Sequence, residues 1–324
     1  MRLHKIDRDV GLFVITLLLL GGVALKFPDF ITPRSLADLL DDTAILVLLA
    51  LGQMLVLLTR AVDLSVAANL ALTGMLVALL NQAHPGWGVL PVVILSPLIG
   101  ALLGAFNGVL VWKLKIPSIV VTLGTLSVYR GAVYVASGGA WVNSNQMSES
   151  FLGFIRTQML GLTVLSWLAV VGVILFALAL RLSVTGRNFY AAGGNPGAAT
   201  YAGIDVGWMQ FLAFTASGAI AGLAGYLWVS RFAVAYTDVA QGFELQVIAA
   251  CVIGGVSISG GVGTVAGVVL GALFLGIIKN ALPLVGVSPF WQMAISGLVI
   301  TIAVILNARG DHSSPRRILE EARP

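Results

Sequence analysis

"AILVLLALGQMLVLLTRAVDLSVAANLALTGMLVALL", residues 44–80, decides what kind of chain this is. Two apolar runs, 44–60 and 64–82, meet at the break "TRAVD", and each is long enough to cross a hydrocarbon layer of about 30 Å as a helix. Neither run alternates apolar with polar residues, which argues for helices over the strands of a barrel. A break this short leaves room for a broken or re-entrant segment in the pair.

The same pattern recurs along the chain. It has 324 residues, of which 58% are hydrophobic and 10% charged, with a mean hydropathy of +1.00. A soluble core cannot bury that much apolar surface, so the expectation is an all-α integral membrane protein. Apolar runs place about ten transmembrane helices near 11–26, 44–60, 64–82, 90–112, 117–136, 162–180, 209–230, 245–259, 262–283 and 291–307. The eighth and ninth are separated only by "SISGGVG", a second place for a broken crossing. These spans form one transmembrane domain, 1–308, followed by a short charged cytoplasmic tail, 309–324.

With the N-terminus inside, Arg2, Lys5, Arg8, Arg60, Lys113, Lys115, Arg181, Arg187, Arg309, Arg316, Arg317 and Arg323 are cytoplasmic. Only Lys26, Arg34, Arg156 and Arg231 fall in outer loops, so the positive-inside bias predicts both termini in the cytoplasm. The same bias accounts for the net charge of +4, and no basic stripe with interleaved aromatics suggests nucleic acid. The first run, "GLFVITLLLLGGVAL", lacks a small-x-small cleavage site and carries Asp7 and Asp9 on its flank, which favours a retained span over a signal peptide.

Gly100, Gly104 and Gly108, and again Gly263, Gly267 and Gly271, recur every four residues, the spacing that lets helices approach closely. "GVGTVAG" at 261 matches a dinucleotide-type pattern, but no soluble strand precedes it, so helix packing is the expected role. The stretches from 100 and from 271 share an opening "GAL", a central Pro and a closing Gly in oppositely directed spans. They suggest an inverted repeat, although chance similarity between Gly-rich apolar segments produces the same pattern.

Several chemistries are excluded. Cys251 is the only cysteine, and His4, His84 and His312 lie far apart, so neither a disulfide nor a metal site is expected. No GxxxxGK[ST] phosphate loop and no nucleophilic triad is present, hence no catalytic residues are assigned. All fourteen Asp and Glu fall in loops or at span ends, unlike the intramembrane carboxylates of ion-coupled carriers. Asp63 and Glu244 come nearest, each at the mouth of a span. Arg130 and Lys279 lie within spans, displaced outward, where snorkelling competes with a pathway role. Asn69, Thr73, Asn107, Thr122 and Asn280 either line a pathway or make interhelical hydrogen bonds. A passive channel or a pore driven by a separate protein remains.

The longest cytoplasmic loop, 181–208, separates these two readings. Within it Asn195 is a favoured N-cap, Pro196 fits the first helical position, Ala198, Ala199 and Ala202 are strong helix formers, and Gly203 suits the C′ stop. A helix of about two turns is marginal alone and must dock on something. Its alanines form a thin contact face, and Gly193 and Gly194 are expected to allow the chain reversal before it.

At these residues the chain resembles the membrane permeases of ABC importers for monosaccharides, the ribose-permease-like family. "TGRNFYAAGGNPGAATYAGI" is similar to that family's coupling segment, "TRAVDLSVAANLALTG" to its motif after the second span, and "GFELQVIAACVIGGVSISGGVGTVAG" to its late glycine signature. "NGVLVWKLKIPSIVVTLGTLSVYRG" matches as well, and the resemblance covers about residues 10–307. The family often has Gly-Ser after "DLSV", where this chain has Ala67 and Ala68.

The resemblance implies a type II ABC importer-like fold and an inner-membrane location. Its implied partners are a separate ATP-binding protein, a periplasmic sugar-binding protein and a second permease chain, all set among membrane lipid. ATP is then used by the partner, and this chain is a transport subunit without a cofactor. Thr185, Gly186, Arg187, Asn195, Pro196, Ala198, Ala199, Gly203 and Ile204 become the candidate ATPase-coupling residues. "AGIDVG" and "IKNALPLVGVSPFWQMAISG" resemble the L-rhamnose branch, with autoinducer-2 permeases close by, so L-rhamnose is the expected cargo and autoinducer 2 or another ribose-like sugar the alternative.

Overall fold

The computed structural model describes residues 2–288 and the isolated positions 291, 294, 297, 298 and 301. Its helices are α1 (Arg2–Lys26), α2 (Pro33–Leu58), α3 (Val66–Ala83), α4 (Leu90–Trp112), α5 (Ser118–Ser137), α6 (Glu149–Gly153), α7 (Val164–Leu182), α8 (Val184–Gly194), α9 (Pro196–Tyr201), α10 (Val206–Phe232), α11 (Phe243–Ile253) and α12 (Val265–Leu284). Eight of these are long and apolar enough to cross a membrane. The tenth expected span, 291–307, and the tail lie outside the described residues apart from those isolated positions, as do residues 289–297 at the end of the suggested repeat, of which only 291, 294 and 297 are described.

Connections gather at two ends of the bundle. At one end Val62 N donates to Ser118 Oγ (3.1 Å), Gln210 Nε2 to Thr59 O (3.1 Å), Gly261 N to Leu58 O (3.0 Å) and Thr264 Oγ1 to Asp9 Oδ2 (2.8 Å). At the other, Asn81 Nδ2 donates to Ser148 Oγ (2.9 Å), Arg156 Nη2 to Ser230 O (3.0 Å) and Tyr134 Oη to Asp238 Oδ1 (3.1 Å). There the two-residue strands Val142–Asn143 and Val234–Ala235 pair antiparallel, Val142 opposite Ala235. From α1 to α10 successive long helices therefore alternate in direction, and α12 starts again at the end where α10 starts, α11 and its flanking segments having brought the chain back there.

α2 is the axis of the bundle: it is apolar on all sides and buried from Thr43 to Leu58. A helix apolar all round belongs inside protein. It starts at Pro33, well before the expected 44, because Thr32 caps it and Pro33 sits at its first position. Asp38, Asp41 and Asp42 thus belong to a helix and not to the outer loop expected for them. Asp41 is buried, accepts hydrogen bonds from Ser166 Oγ (2.5 Å) and Thr163 Oγ1, and lies 3.7 Å from Arg231, which also pairs with Asp42 at 2.7 Å.

The glycine repeats do what their spacing implies. A Cβ on Gly100 would lie 2.2 Å from Gly218 O, one on Gly104 2.2 Å from Phe214 O, and one on Gly222 2.1 Å from Ser96 O. α4 and α10 therefore meet backbone to backbone. Gly267 and Gly271 make the corresponding seam between α12 and α11, at 2.0 Å from Gly254 O and 2.2 Å from Ala250 O.

α11 is the broken crossing that the short "SISGGVG" connection allowed, ending at Ile253 within the span placed near 245–259. Its 11 residues rise about 16 Å, half of a bilayer core. It stops because Gly255, at φ +85, makes a left-handed cap in which Val256 N reaches back to Cys251 O (2.9 Å). The flanking segments complete the crossing, and Val256 and Ser257 are buried in protein, where irregular backbone is tolerated at membrane depth.

Candidate functional site

The connection from α7 to α10 is two helices and a sharp bend. Ser183 caps α8, its Oγ accepting from Gly186 N at 2.8 Å. Asn195 caps α9, its Oδ1 accepting from Ala198 N at 3.1 Å, with Pro196 in the first turn as expected. Gly203, at φ +80, closes α9, while Ile204 N returns to Ala199 O at 2.9 Å.

α8 itself was missed by the sequence reading, since its glycines argue against a helix. Gly193 and Gly194 sit in the last turn of α8 and not in a left-handed reversal. Gly193 serves close approach instead: a Cβ there would lie 1.7 Å from Leu58 O. The bend comes at Asn195, whose backbone is extended.

The candidate coupling residues divide by exposure. Thr185 and Arg187 are exposed on α8, with Arg187 Nη1 donating to Leu182 O at 3.3 Å, whereas Gly186 is buried 2.4 Å (as a virtual Cβ) from Ala179 O. On α9, Ala198 is exposed but Ala199 is only 4% exposed and faces its own chain, so the outward face is Gly197, Ala198, Thr200 and Tyr201. Tyr201 is 96% exposed. A rigid aromatic with a polar tip presented this way is a typical interface anchor. Its signal in the sequence was an aromatic among alanines in a helix too short to stand alone.

Five pathway candidates are buried in separate hydrogen-bonded groups on α3, α4, α5 and the connection before α3. Asp63 Oδ1 accepts from Ser65 N (2.9 Å) and Ser65 Oγ (2.6 Å), and Asn107 Nδ2 donates to Ser65 Oγ at 2.8 Å. Tyr129 Oη donates to Leu103 O (2.8 Å) beside Asn107, and Thr122 Oγ1 to Val62 O (3.2 Å). Asn69 Nδ2 reaches Gly100 O (3.0 Å), and Thr73 Oγ1 reaches Asn69 Oδ1 (3.2 Å). Burial pushes the Asp63 carboxyl up from its ordinary value, and the two bonds from Ser65 pull it down. Ala67 and Ala68 lie in the first turn of α3, fully buried.

The other candidates lie elsewhere. Arg130 donates to Val239 O at 2.5 Å at the opposite end, with Glu244 and Asp238 near its charge, and the Glu244 Oε2 is buried without a hydrogen bond. Lys279 is exposed on α12, and Asn280 Nδ2 bonds Gly276 O of its own helix at 3.0 Å. These groups do not converge with the Asp63 network.

Residues 35–304 match the family described as "Branched-chain amino acid transport system / permease component". The chain belongs to this permease family. It is 38% identical over 305 residues to the Autoinducer 2 import system permease protein LsrC of Enterobacter sp. strain 638, covering 94% of this chain and 87% of the relative. It is 36% identical to the protein of the same name from Escherichia coli O157:H7, covering 94% and 87%. With the L-arabinose ABC transporter permease protein AraH of Azospirillum brasilense it shares 35% identity over 92% and 86% of the two chains. No solved structure matches. The expected resemblance to ABC importer permeases is thereby borne out, and the chain is a multi-pass membrane permease.

Proposed function

We propose that this permease is the membrane-spanning subunit of an ATP-driven importer for autoinducer 2 or a closely related small polyhydroxylated sugar. The relatives favour this cargo over L-rhamnose, since their names specify autoinducer 2 and L-arabinose. Hydrolysis belongs to a separate ATP-binding protein that docks on α8 and α9. A substrate-binding protein delivers cargo at the opposite end, and a second permease chain, identical or related, completes the assembly in a bacterial inner membrane. Both termini are cytoplasmic, which places α8, α9 and the Asp63 network on the side of the ATPase.

The observation that carries this reading is the outward face of α9, headed by Tyr201. Replacing Tyr201 by Ala removes an exposed aromatic that its own chain does not pack, so insertion and folding stay normal. Binding of the ATP-binding subunit then weakens by about 2 kcal/mol or more, the threshold of an interface hot spot. Affinity between detergent-purified permease and its ATP-binding partner measures this, with uptake of autoinducer 2, L-arabinose and L-rhamnose compared in proteoliposomes. Full affinity in the variant overturns the docking role of α9. Uptake without ATP or an ATPase makes the chain a passive channel, and uptake of L-rhamnose alone reverses the cargo assignment.

A further inference from the structure

Arg60 stands at the junction of three segments that are far apart in sequence. It follows α2, with its backbone at φ +62, a conformation costly for any residue other than glycine. From there its Nε donates to Gly193 O at 2.5 Å and its Nη2 to Gly194 O at 3.1 Å, the final carbonyls of α8. Those carbonyls have no partner within their helix, and they form the negative end of its dipole. Arg60 is thus a bidentate, charge-assisted cap on α8. Behind it, a Cβ on Gly260 would lie 2.4 Å from Arg60 Cγ, so the glycine turn before α12 closes over the side chain. Immediately ahead, Val62 is held to α5 by Ser118 and Thr122, and Asp63 leads through Ser65 to Asn107 of α4.

We infer that Arg60 is a positioning residue for transport: its clamp on Gly193 and Gly194 carries displacement of the α8–α9 unit into the α2–α3 connection and thence to α4 and α5. This rests on the reading that α8 and α9 receive the ATP-binding subunit. The physical ground is stiffness. A guanidinium fork on two adjacent carbonyls fixes distance and angle together, whereas packing of Gly193 on Leu58 alone transmits compression but not pull.

The variant that tests it is Arg60→Gly, because glycine adopts φ +62 freely and the turn is left unstrained. Arg60→Lys keeps the charge but loses the fork. In proteoliposomes containing the whole transporter, cargo moved per ATP hydrolysed is expected to fall about tenfold in Arg60→Gly, within the range typical of coupling between sites, and less in Arg60→Lys. Spin labels on introduced cysteines at Val184 of α8 and Ile119 of α5, each measured against one at Leu160 at the opposite end, report the motion. All three positions are exposed, and the native Cys251 is buried and stays unlabelled. In the unmodified chain both distances change between nucleotide states. In Arg60→Gly the Val184 distance still changes and the Ile119 distance does not. Unaltered transport per ATP, or an Ile119 distance that still changes, overturns the proposal. So does a fall in melting temperature that accounts for the lost transport, since Arg60 is then merely structural. No nucleotide-dependent change at Val184 in the unmodified chain instead overturns the docking assignment.

Discussion

Replacing Gly104 by Ala tests whether the bundle is built on backbone contact. The added Cβ would sit 2.2 Å from Phe214 O and 2.9 Å from Gly218 Cα, where 3.0 Å is the least that Cβ atoms adopt. Both obstacles are main chain, so no rotamer change relieves the clash and α4 must move off α10 by roughly 1 Å. A gap of about 0.5–1 Å forfeits a quarter to a half of the dispersion attraction of each atom pair along the seam. Lipid tails are as apolar as the side chains, so no hydrophobic term restores the loss. The expected destabilisation is about 1–3 kcal/mol. Gly124→Ala is the control, since nothing lies within 4 Å of a Cβ on that glycine, also helical and on α5. Unfolding midpoints in mixed lipid–detergent micelles, measured alongside the unmodified chain, decide it. Equal midpoints for the two variants refute the close seam.

Two further substitutions test local and buried polar contacts. Asn195→Ala removes the N-cap of α9 and should cost about 0.5–2 kcal/mol of local helix stability, seen as faster amide exchange over residues 198–202 with exchange in α10 unaffected. Asp41→Ala leaves Thr163 and Ser166 without their shared acceptor and removes a buried carboxylate 3.7 Å from Arg231, and should destabilise by about 3 kcal/mol, whereas Asp42→Ala, at a more exposed partner of Arg231, should cost under about 1 kcal/mol in the same unfolding assay.

How much of the site was legible depends on how local its causes are. The cap at Asn195, the proline at position 196 and the stop at Gly203 are effects of neighbours within one or two turns, and they placed α9 correctly. α8 was hidden because its glycines carry a helix penalty that only a distant contact explains, namely Leu58 against Gly193. Ala198 and Ala199 look alike in sequence, yet one faces outward and the other inward, a choice set by where α8 and α10 lie. Arg60 read as one more charge of the positive-inside bias, and its partners lie over 130 positions away. Its position directly after a buried helix, beside a very short connection, was the available clue.

From the sequence alone came the membrane class, the helical spans with an intact apolar run, the glycine seams and the short capped helix, because hydropathy, spacing and capping act over a few residues. Only the tertiary structure decided that α11 breaks halfway, that the Asp63 network is an interhelical lock, and that Arg60 clamps α8. Those outcomes depend on which backbones come within contact distance once the helices are packed, and that information is carried by pairs of segments and not by any one of them.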